Sequence, residues 1–359
     1  MNVAIIQPVV PVYREDFYME LQKYANVDVY VFKDPQLVMK EQTKISSFPV
    51  RHIKNKQLKG FVFYNPFPLL SKKYDVLVLM QTISHVTTWL LLLSQFIHHK
   101  KIVLWGQGIT MSNYEKEQVK PNFLRKVQIS FAKGLWLYMT NEYELWHKWL
   151  PKLPMKALDN TISKAGAIAE IDVCSSKEKL KAKYGIRQNK VIIFCARFET
   201  SPRRPELLVE AMEKLNPDEF AFIIIGDGRD KPDFSRFGNV FEFGSVYDRD
   251  KKTELFTMAD IYFQPGWVGL SIVEAMAYAK PICTFVRSKE TLQCVEYSYI
   301  VPNVNGLIFK DIDDCVKQFN NTSLEKFHEM GENARDLVRN NLTPPKMAAN
   351  AWSVLKMLE

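Results

Sequence analysis

The sequence predicts an α/β protein built of two doubly wound, parallel-sheet domains. Three observations carry that expectation. The chain is 359 residues long, enough for two or three domains at roughly 100–200 residues each. Short, continuously apolar runs alternate with amphipathic ones, and the alternation restarts after about Lys164. Apolarity that is continuous along a strand marks a parallel sheet covered on both faces. A hydrophobic fraction of 47% also excludes a mainly disordered, collagenous or disulfide-scaffold chain.

In the first half, Val3–Gln7, Val27–Phe32, Asp75–Met80, Lys101–Trp105 and Leu135–Thr140 read as strands. Between them, Arg14–Lys23, Ser84–His98, Pro121–Phe131 and Asn141–Trp149 read as helices. The second half opens on Ser175-Ser176-Lys177-Glu178, a capping box, with Gly185 as the helix stop. Strands follow at Val191–Ala196, Phe220–Ile225, Val240–Phe243, Ile261–Gln264 and Pro281–Phe285. Helices lie at Pro205–Leu215, Lys251–Met258 and Leu270–Tyr278. Domains are expected over 1–165 and 166–341. A last helix, 342–359, carries the apolar stripe Met347, Ala351, Val354, Leu355 and Leu358, which needs a surface to dock on.

Charge is unevenly placed. Residues 1–165 hold 22 Lys and Arg against 12 Asp and Glu, and the remainder 26 against 28, so the net +8 resolves into +10 and −2. A basic half suggests an anionic partner: phospholipid, nucleic acid or a phosphorylated substrate. Ordinary solvated lysines are the plain alternative. The five cysteines (Cys174, Cys195, Cys283, Cys294, Cys315) show no C-x-x-C spacing, so neither a zinc site nor a disulfide framework is expected. The N-terminus lacks the basic region of a signal peptide. The longest apolar stretch, Val86 to Ile97, falls short of the ~20 residues a spanning helix needs. A cytoplasmic chain is expected, with the inner membrane surface open to it.

Doubly wound domains bind ligands at the carboxyl ends of their strands, which directs attention to the strand-end loops and to the cleft between domains. The loop Cys195-Ala196-Arg197-Phe198-Glu199-Thr200-Ser201-Pro202-Arg203-Arg204-Pro205 ends a buried strand in Arg197 and sets two guanidiniums before a helix. Fork-shaped donors and helix amides suit a diphosphate; a solvated basic turn is the alternative. Gly226-Asp227-Gly228 permits close backbone approach. Arg229-Asp230-Lys231-Pro232 follows it instead of a G-x-G-x-x-G helix start, so a dinucleotide fingerprint is absent. In Gln264-Pro265-Gly266-Trp267-Val268-Gly269-Leu270-Ser271-Ile272-Val273-Glu274, a strand runs through a glycine loop into a helix whose first amides lack partners. Glu274, flanked by apolar residues, needs partners that sugar hydroxyls or an arginine could supply. Asp248-Arg249-Asp250 reads as a solvated charge run rather than a metal motif. His85 offers an acceptor-side hydrogen bond or a structural histidine.

Together these residues resemble the nucleotide-binding half of a GT-B glycosyltransferase of the large retaining group called family 4, or group 1. Arg197 matches its strand-end arginine, and Arg203 stands where its lysine usually does. Gly226-Asp227-Gly228 matches its turn, and Gly269-Leu270-Ser271-Ile272-Val273-Glu274-Ala275-Met276-Ala277 its loop and helix. Lys280-Pro281-Ile282 and Asn305-Gly306-Leu307-Ile308 match downstream. Over the first half the resemblance is looser: Trp105-Gly106-Gln107-Gly108 is similar to a Trp-Gly-His-Gly strand end, with Gln107 replacing His.

The resemblance implies a GT-B fold of two Rossmann-like domains facing across a cleft, with the final helix crossing back to the N-terminal one. It implies transfer of a sugar from a UDP- or GDP-linked donor to a glycan or lipid-linked acceptor, with no cofactor and no metal. Arg197 and Arg203 would hold the diphosphate and Glu274 the ribose, with Gly226, Asp227, Gly228, Val246, Gly269, Leu270 and Ser271 lining the donor. Tyr13, Arg14, His85 and Gln107 fall on the acceptor side. A basic N-terminal domain then favours membrane or lipid-linked acceptor over nucleic acid as the anionic partner. The first glutamate of the family's E-x7-E motif is Gly266 here, and arginine replaces lysine. A GT-B-shaped nucleotide-sugar epimerase and a non-catalytic nucleotide-sugar-binding protein are the rival readings.

Overall fold

The computed structural model describes residues 1–33, 46–172, 176–198 and 201–359. Cys174, the cap at Ser175, and Glu199 and Thr200 of the arginine loop lie outside the described residues. The chain divides into two units, Met1–Lys164 with Thr343–Glu359, and Ala165–Leu342.

The first unit is built on β1 (Asn2–Gln7), β2 (Asn26–Val31), β3 (Arg51–His52), β4 (Asn55–Leu58), β5 (Phe61–Tyr64), β6 (Val76–Met80), β7 (Lys101–Gly106), β8 (Gly134–Leu137) and β9 (Met155–Ala157). Seven of these form one sheet in the order β3-β2-β1-β6-β7-β8-β9, every pair parallel. Strands β4 and β5 form a separate antiparallel hairpin. Side chains alternate across the sheet, so each face builds its own core. Val3, Ile5, Val76, Val78 and Val103 pack with Phe17 of helix Glu15–Leu21 and with the final helix, Pro344–Lys356. Ile6, Leu77, Leu79, Ile102 and Leu104 pack with Tyr64 of the hairpin, Leu91 and Leu92 of helix Val86–Leu93, and Ile129 of helix Phe123–Ser130.

The final helix buries Met347, Ala348, Ala351, Val354 and Leu355, all at 0% exposure, which is why its stripe is apolar. Arg14 donates from Nη1 to Met347 Sδ at 3.2 Å and ties the first turn after β1 to this helix. The expected helix Ser84–His98 is two helices, Val86–Leu93 and Gln95–His98. Ser94 Oγ bonds back to the Leu90 carbonyl at 2.7 Å, a local bond that competes with the helical ladder. No helix of the described residues is long and apolar enough to cross a membrane.

The second unit holds β10 (Lys190–Cys195), β11 (Phe220–Ile225), β12 (Val240–Glu242), β13 (Ile261–Phe263), β14 (Ile282–Phe285) and β15 (Gly306–Phe309), ordered β12-β11-β10-β13-β14-β15 and all parallel. Their buried patterns are continuous, as in Phe220–Ile225. The chain leaves β10 for β11 on one side and later returns to β13 on the other, so the loops after β10 and β13 flank a topological switch point, where such sheets bind ligands. The first sheet has its own switch between β1 and β6. Because Leu355 is fully buried, Leu355→Ala should destabilise the chain by about 2–5 kcal/mol. Urea unfolding followed by circular dichroism measures this; an unchanged midpoint would mean the helix is not docked.

Candidate active site

The loop after β10 is set by backbone contacts. Ala196 N donates to the Ile225 carbonyl at 3.0 Å and Phe198 N to the Asp227 carbonyl at 3.0 Å, so the β10 loop lies along the Gly-Asp-Gly turn. Gly226 has φ +145°, and a Cβ there would stand 1.9 Å from the Ala196 carbonyl oxygen, so only glycine allows the approach. Phe198 is buried at 1% and stacks on Phe194 at 4.8 Å. That anchors the chain on either side of the exposed Arg197.

Downstream, a single 3-10 turn, Ser201–Arg203, leads to helix Pro205–Lys214. Its two arginines part company. Arg204, at φ +54°, pairs with Glu206 and donates to Thr291 Oγ1 at 2.5 Å and the Glu290 carbonyl at 3.1 Å. Arg203 is half-buried and makes no ion pair among the described residues. Burial first, and then the neighbouring Arg197, pull its pKa below the usual arginine value, although Tyr262 and the cysteines Cys195 and Cys294 act the other way. The loop therefore holds two cations near one another with no carboxylate paired to Arg203. The sequence placed Arg203 and Arg204 together before the helix; the structure reserves only Arg203 beside Arg197.

The loop after β13 supplies the second wall. Gln264 is fully buried and donates from Nε2 to the carbonyls of Trp267 at 2.6 Å and Gly266 at 3.1 Å. Trp267 holds a left-handed φ of +50°, and its N–H donates to the Leu292 carbonyl at 2.8 Å. Such a conformation costs a non-glycine residue about 1–3 kcal/mol and persists where surroundings over-determine it. The Tyr262 hydroxyl lies 2.8 Å from Gln264 Oε1, 3.1 Å from the Cys195 carbonyl and 3.2 Å from Ser271 Oγ, stitching the two loops together. Burial pushes the Cys195 thiol up to about 11, so it stays protonated at neutral pH.

Glu274 sits in the helix Ser271–Ala277, and its Oε2 accepts from Lys252 Nζ at 2.6 Å. Burial disfavours the Lys252 ammonium, but the Glu274 carboxylate bonded to it favours the charge, and its pKa lies above the usual lysine value. Lys252 lies in helix Arg249–Met258 and was not singled out from the sequence. The twin lysines differ in the fold: Lys251 donates to the Tyr184 hydroxyl at 2.6 Å, while Lys252 meets Glu274. The Lys252–Cys195–Arg203 proximity adds a third cation to the cluster.

The other expected residues are distributed more widely. Asp227 is exposed, with Oδ1 accepting from Gly228 N at 3.0 Å. Val246 is half-buried in the loop after β12, and Gly269 and Leu270 are half-buried just before the helix bearing Glu274. Asp248 of the Asp-Arg-Asp run is a helix cap, its Oδ1 accepting from Lys251 N at 2.7 Å. Among the described residues, no group of three or more His, Cys, Asp or Glu could hold a metal ion.

In the first unit, Tyr13 is 46% exposed beside the switch point. Arg14, grouped with the acceptor side from sequence, is instead an interior residue: it is buried at 7%, with its guanidinium 5.6 Å from the Trp105 ring centre and bonded to Met347. His85 is also buried, edge-on to Phe32 at 5.6 Å. Its Nδ1 has no hydrogen-bond partner among the described residues, and burial holds its pKa below the usual value. Gln107 is half-buried after β7.

Gly266 explains its own departure from the E-x7-E pattern. A Cβ at 266 would lie 2.3 Å from the Pro202 carbonyl oxygen and 2.8 Å from Arg204 Cγ, and Gly266 N donates to the Arg203 carbonyl at 3.2 Å. The arginine turn occupies the space a side chain would need. Gly266→Glu should therefore push that turn away, lowering both thermal stability and nucleoside diphosphate affinity. Calorimetry showing tighter binding of the variant would mean the position tolerates the acid.

Residues 189–321 match the family described as Glycosyl transferases group 1. No curated protein matches the chain. Among solved structures, HepE from Anabaena, in complex with UDP and glucose, is similar at TM-score 0.67 and 16% identity, covering 99% of both chains. A glycosyltransferase from Rickettsia africae is similar at TM-score 0.63 and 17% identity, covering 99% of this chain and 98% of its own. The lipopolysaccharide outer core galactosyltransferase WaaB, in apo form, is similar at TM-score 0.66 and 13% identity over 100% of both chains. The chain thus has the GT-B fold, and the segment that matches the group 1 glycosyltransferase family lies in its second unit.

Proposed function

We propose that this protein transfers a hexose, with retention of configuration, from a UDP- or GDP-linked sugar to a glycan or lipid-linked sugar acceptor in surface polysaccharide or glycoconjugate synthesis. The observation that supports this best is the Arg203 guanidinium, half-buried beside Arg197 with no ion pair among the described residues. A diphosphate relieves that repulsion and gains forked, charge-assisted hydrogen bonds. Arg197 and Arg203 hold the diphosphate, Glu274 accepts from the ribose hydroxyls, and Lys252 holds that carboxylate in place. Breakage of the sugar–phosphate bond leaves charge on phosphate oxygens, and cations already in place stabilise it without reorganisation. Donor chemistry thus belongs to the second unit and the acceptor to the basic first one, with no cofactor or metal required.

Titration with UDP and GDP tests the assignment. Arg203→Ala should weaken the preferred nucleoside diphosphate at least about tenfold, the loss of a charged hydrogen bond, and leave the bare nucleoside unaffected. Glu274→Ala should weaken both. Unchanged diphosphate affinity in Arg203→Ala would contradict the site. A thermal-shift screen of UDP- and GDP-sugars identifies the donor, since a ligand that binds the folded state raises its apparent stability. Turnover should then need an acceptor and survive chelator. Interconversion of the nucleotide-sugar without acceptor would instead favour an epimerase, and binding with no turnover a non-catalytic protein.

A further inference from the structure

The face of the first sheet that carries the final helix holds a buried cation among donors that lack acceptors. Arg14, in the 3-10 turn Val12–Arg14 after β1, is 7% exposed and makes no ion pair among the described residues. The acids that follow it in sequence are turned to other partners. Glu15 Oε1 accepts from Ser47 Oγ at 3.1 Å, and Asp16 Oδ2 from Lys164 N at 2.8 Å. The acceptor that the guanidinium does reach, Met347 Sδ at 3.2 Å, is a weak one. The rings of Trp105 and Tyr13, each centred 5.6 Å from Arg14 Cζ, attract the charge but give its N–H groups no oxygen.

Further donors surround this guanidinium. The Tyr18 hydroxyl, Trp105 Nε1 and Gln7 Nε2 are all buried with no hydrogen-bond partner among the described residues. The Tyr18 and Trp105 rings lie 6.4 Å apart and edge to face. Burial raises the pKa of the Tyr18 phenol and the Arg14 charge acts against it, which puts hydroxyl and guanidinium in one neighbourhood. Gln7 and Trp105 stand two residues beyond Ile5 and Val103, which are level with each other across Val78 of β6. Their side chains therefore leave the same face of the sheet at the same height. An indole N–H and an amide NH2 only donate, and a phenol donates readily. The cluster thus presents a cation, an indole, an amide and a hydroxyl, and no carboxylate. Buried donors in folded proteins nearly always meet an acceptor, because an unmet one is costly.

We infer that Arg14, Tyr18, Trp105 and Gln7 hold one small monovalent anion of halide type. A water molecule there would accept two of the protons, bring two of its own that need acceptors, and leave the guanidinium charge unbalanced. A halide accepts from every donor and balances the charge. A single cation calls for a single negative charge, which a phosphate dianion would exceed. Tyr13, against the same guanidinium, is 46% exposed, so the site lies one side chain from solvent and the ion can exchange. When bound, the ion links the turn after β1 to the end of β7 and, through Arg14 and Met347, to the final helix. The site belongs to the first unit and is independent of the donor loops in the second.

Crystals of the full chain grown in sodium bromide test this by anomalous scattering. A bromide peak is expected within hydrogen-bonding distance of the Arg14 guanidinium and Trp105 Nε1. Density there without anomalous signal, or bromide only beside Arg197 and Arg203, overturns the inference. In solution, sodium chloride should raise the melting temperature above its value in sodium gluconate at equal ionic strength, and the rise should saturate as one site fills. Arg14→Met should abolish that rise. Tyr18→Phe keeps the cation and removes one donor, so it should raise the half-saturating chloride concentration at least about tenfold. A chloride response identical to wild type in Tyr18→Phe would mean the ion binds elsewhere and would also overturn the site.

Discussion

A half-buried guanidinium with no ion pair among the described residues is the feature around which the candidate site is arranged. Arg203 is held at the switch point of the sheet by a turn that leans on Gly266. Arg197 stands close enough to lower its pKa. Two like charges so placed cost stability in the empty protein, and an anion recovers it. Glu274, on the helix after the β13 loop, pairs with Lys252, and on the proposed reading Arg203 is left to an incoming diphosphate. The absence of the first E-x7-E acid follows from the same packing, because the arginine turn fills the volume beside Gly266. On the proposed reading, donor-sugar contacts come from elsewhere in the loop, where Trp267 holds a left-handed φ of +50°.

The frame of the fold was legible in the sequence because parallel strands buried on both faces cannot hide their composition. Phe220–Ile225 coincides with β11, and the central strands of both sheets lie within a residue or two of the apolar runs. What was not legible lacks that burial or that length. Strand β4 is exposed along its whole length, so no alternation betrays it. Strand β15 is short and begins on glycine. The helix expected over Ser84–His98 is interrupted by a side-chain bond that leaves no mark in the apolar pattern.

The candidate site was legible only in part, and for a comparable reason. Arg197 and Arg203 stood out because cations are unusual where buried strands end, and Glu274 because its helix neighbours are apolar. Lys252 looks like any helical lysine, and only packing separates it from Lys251. Arg14 shows the opposite case: a cation near a strand end that the fold draws inward against Trp105 and Met347. Charge arithmetic over half the chain was correct in sign but coarse in place. The excess lies over residues 46–133, mostly in the hairpin and in loops, and none of it in the helices Val86–Leu93 and Gln95–His98.

The most direct test of the account is a structure of the full chain with its preferred nucleoside diphosphate bound. The account predicts diphosphate oxygens within hydrogen-bonding distance of the Arg203 and Arg197 guanidiniums, with the ribose hydroxyls on the Glu274 carboxylate. A nucleotide bound away from the loops after β10 and β13, or a ribose held by another residue while Glu274 stays paired only to Lys252, would contradict it.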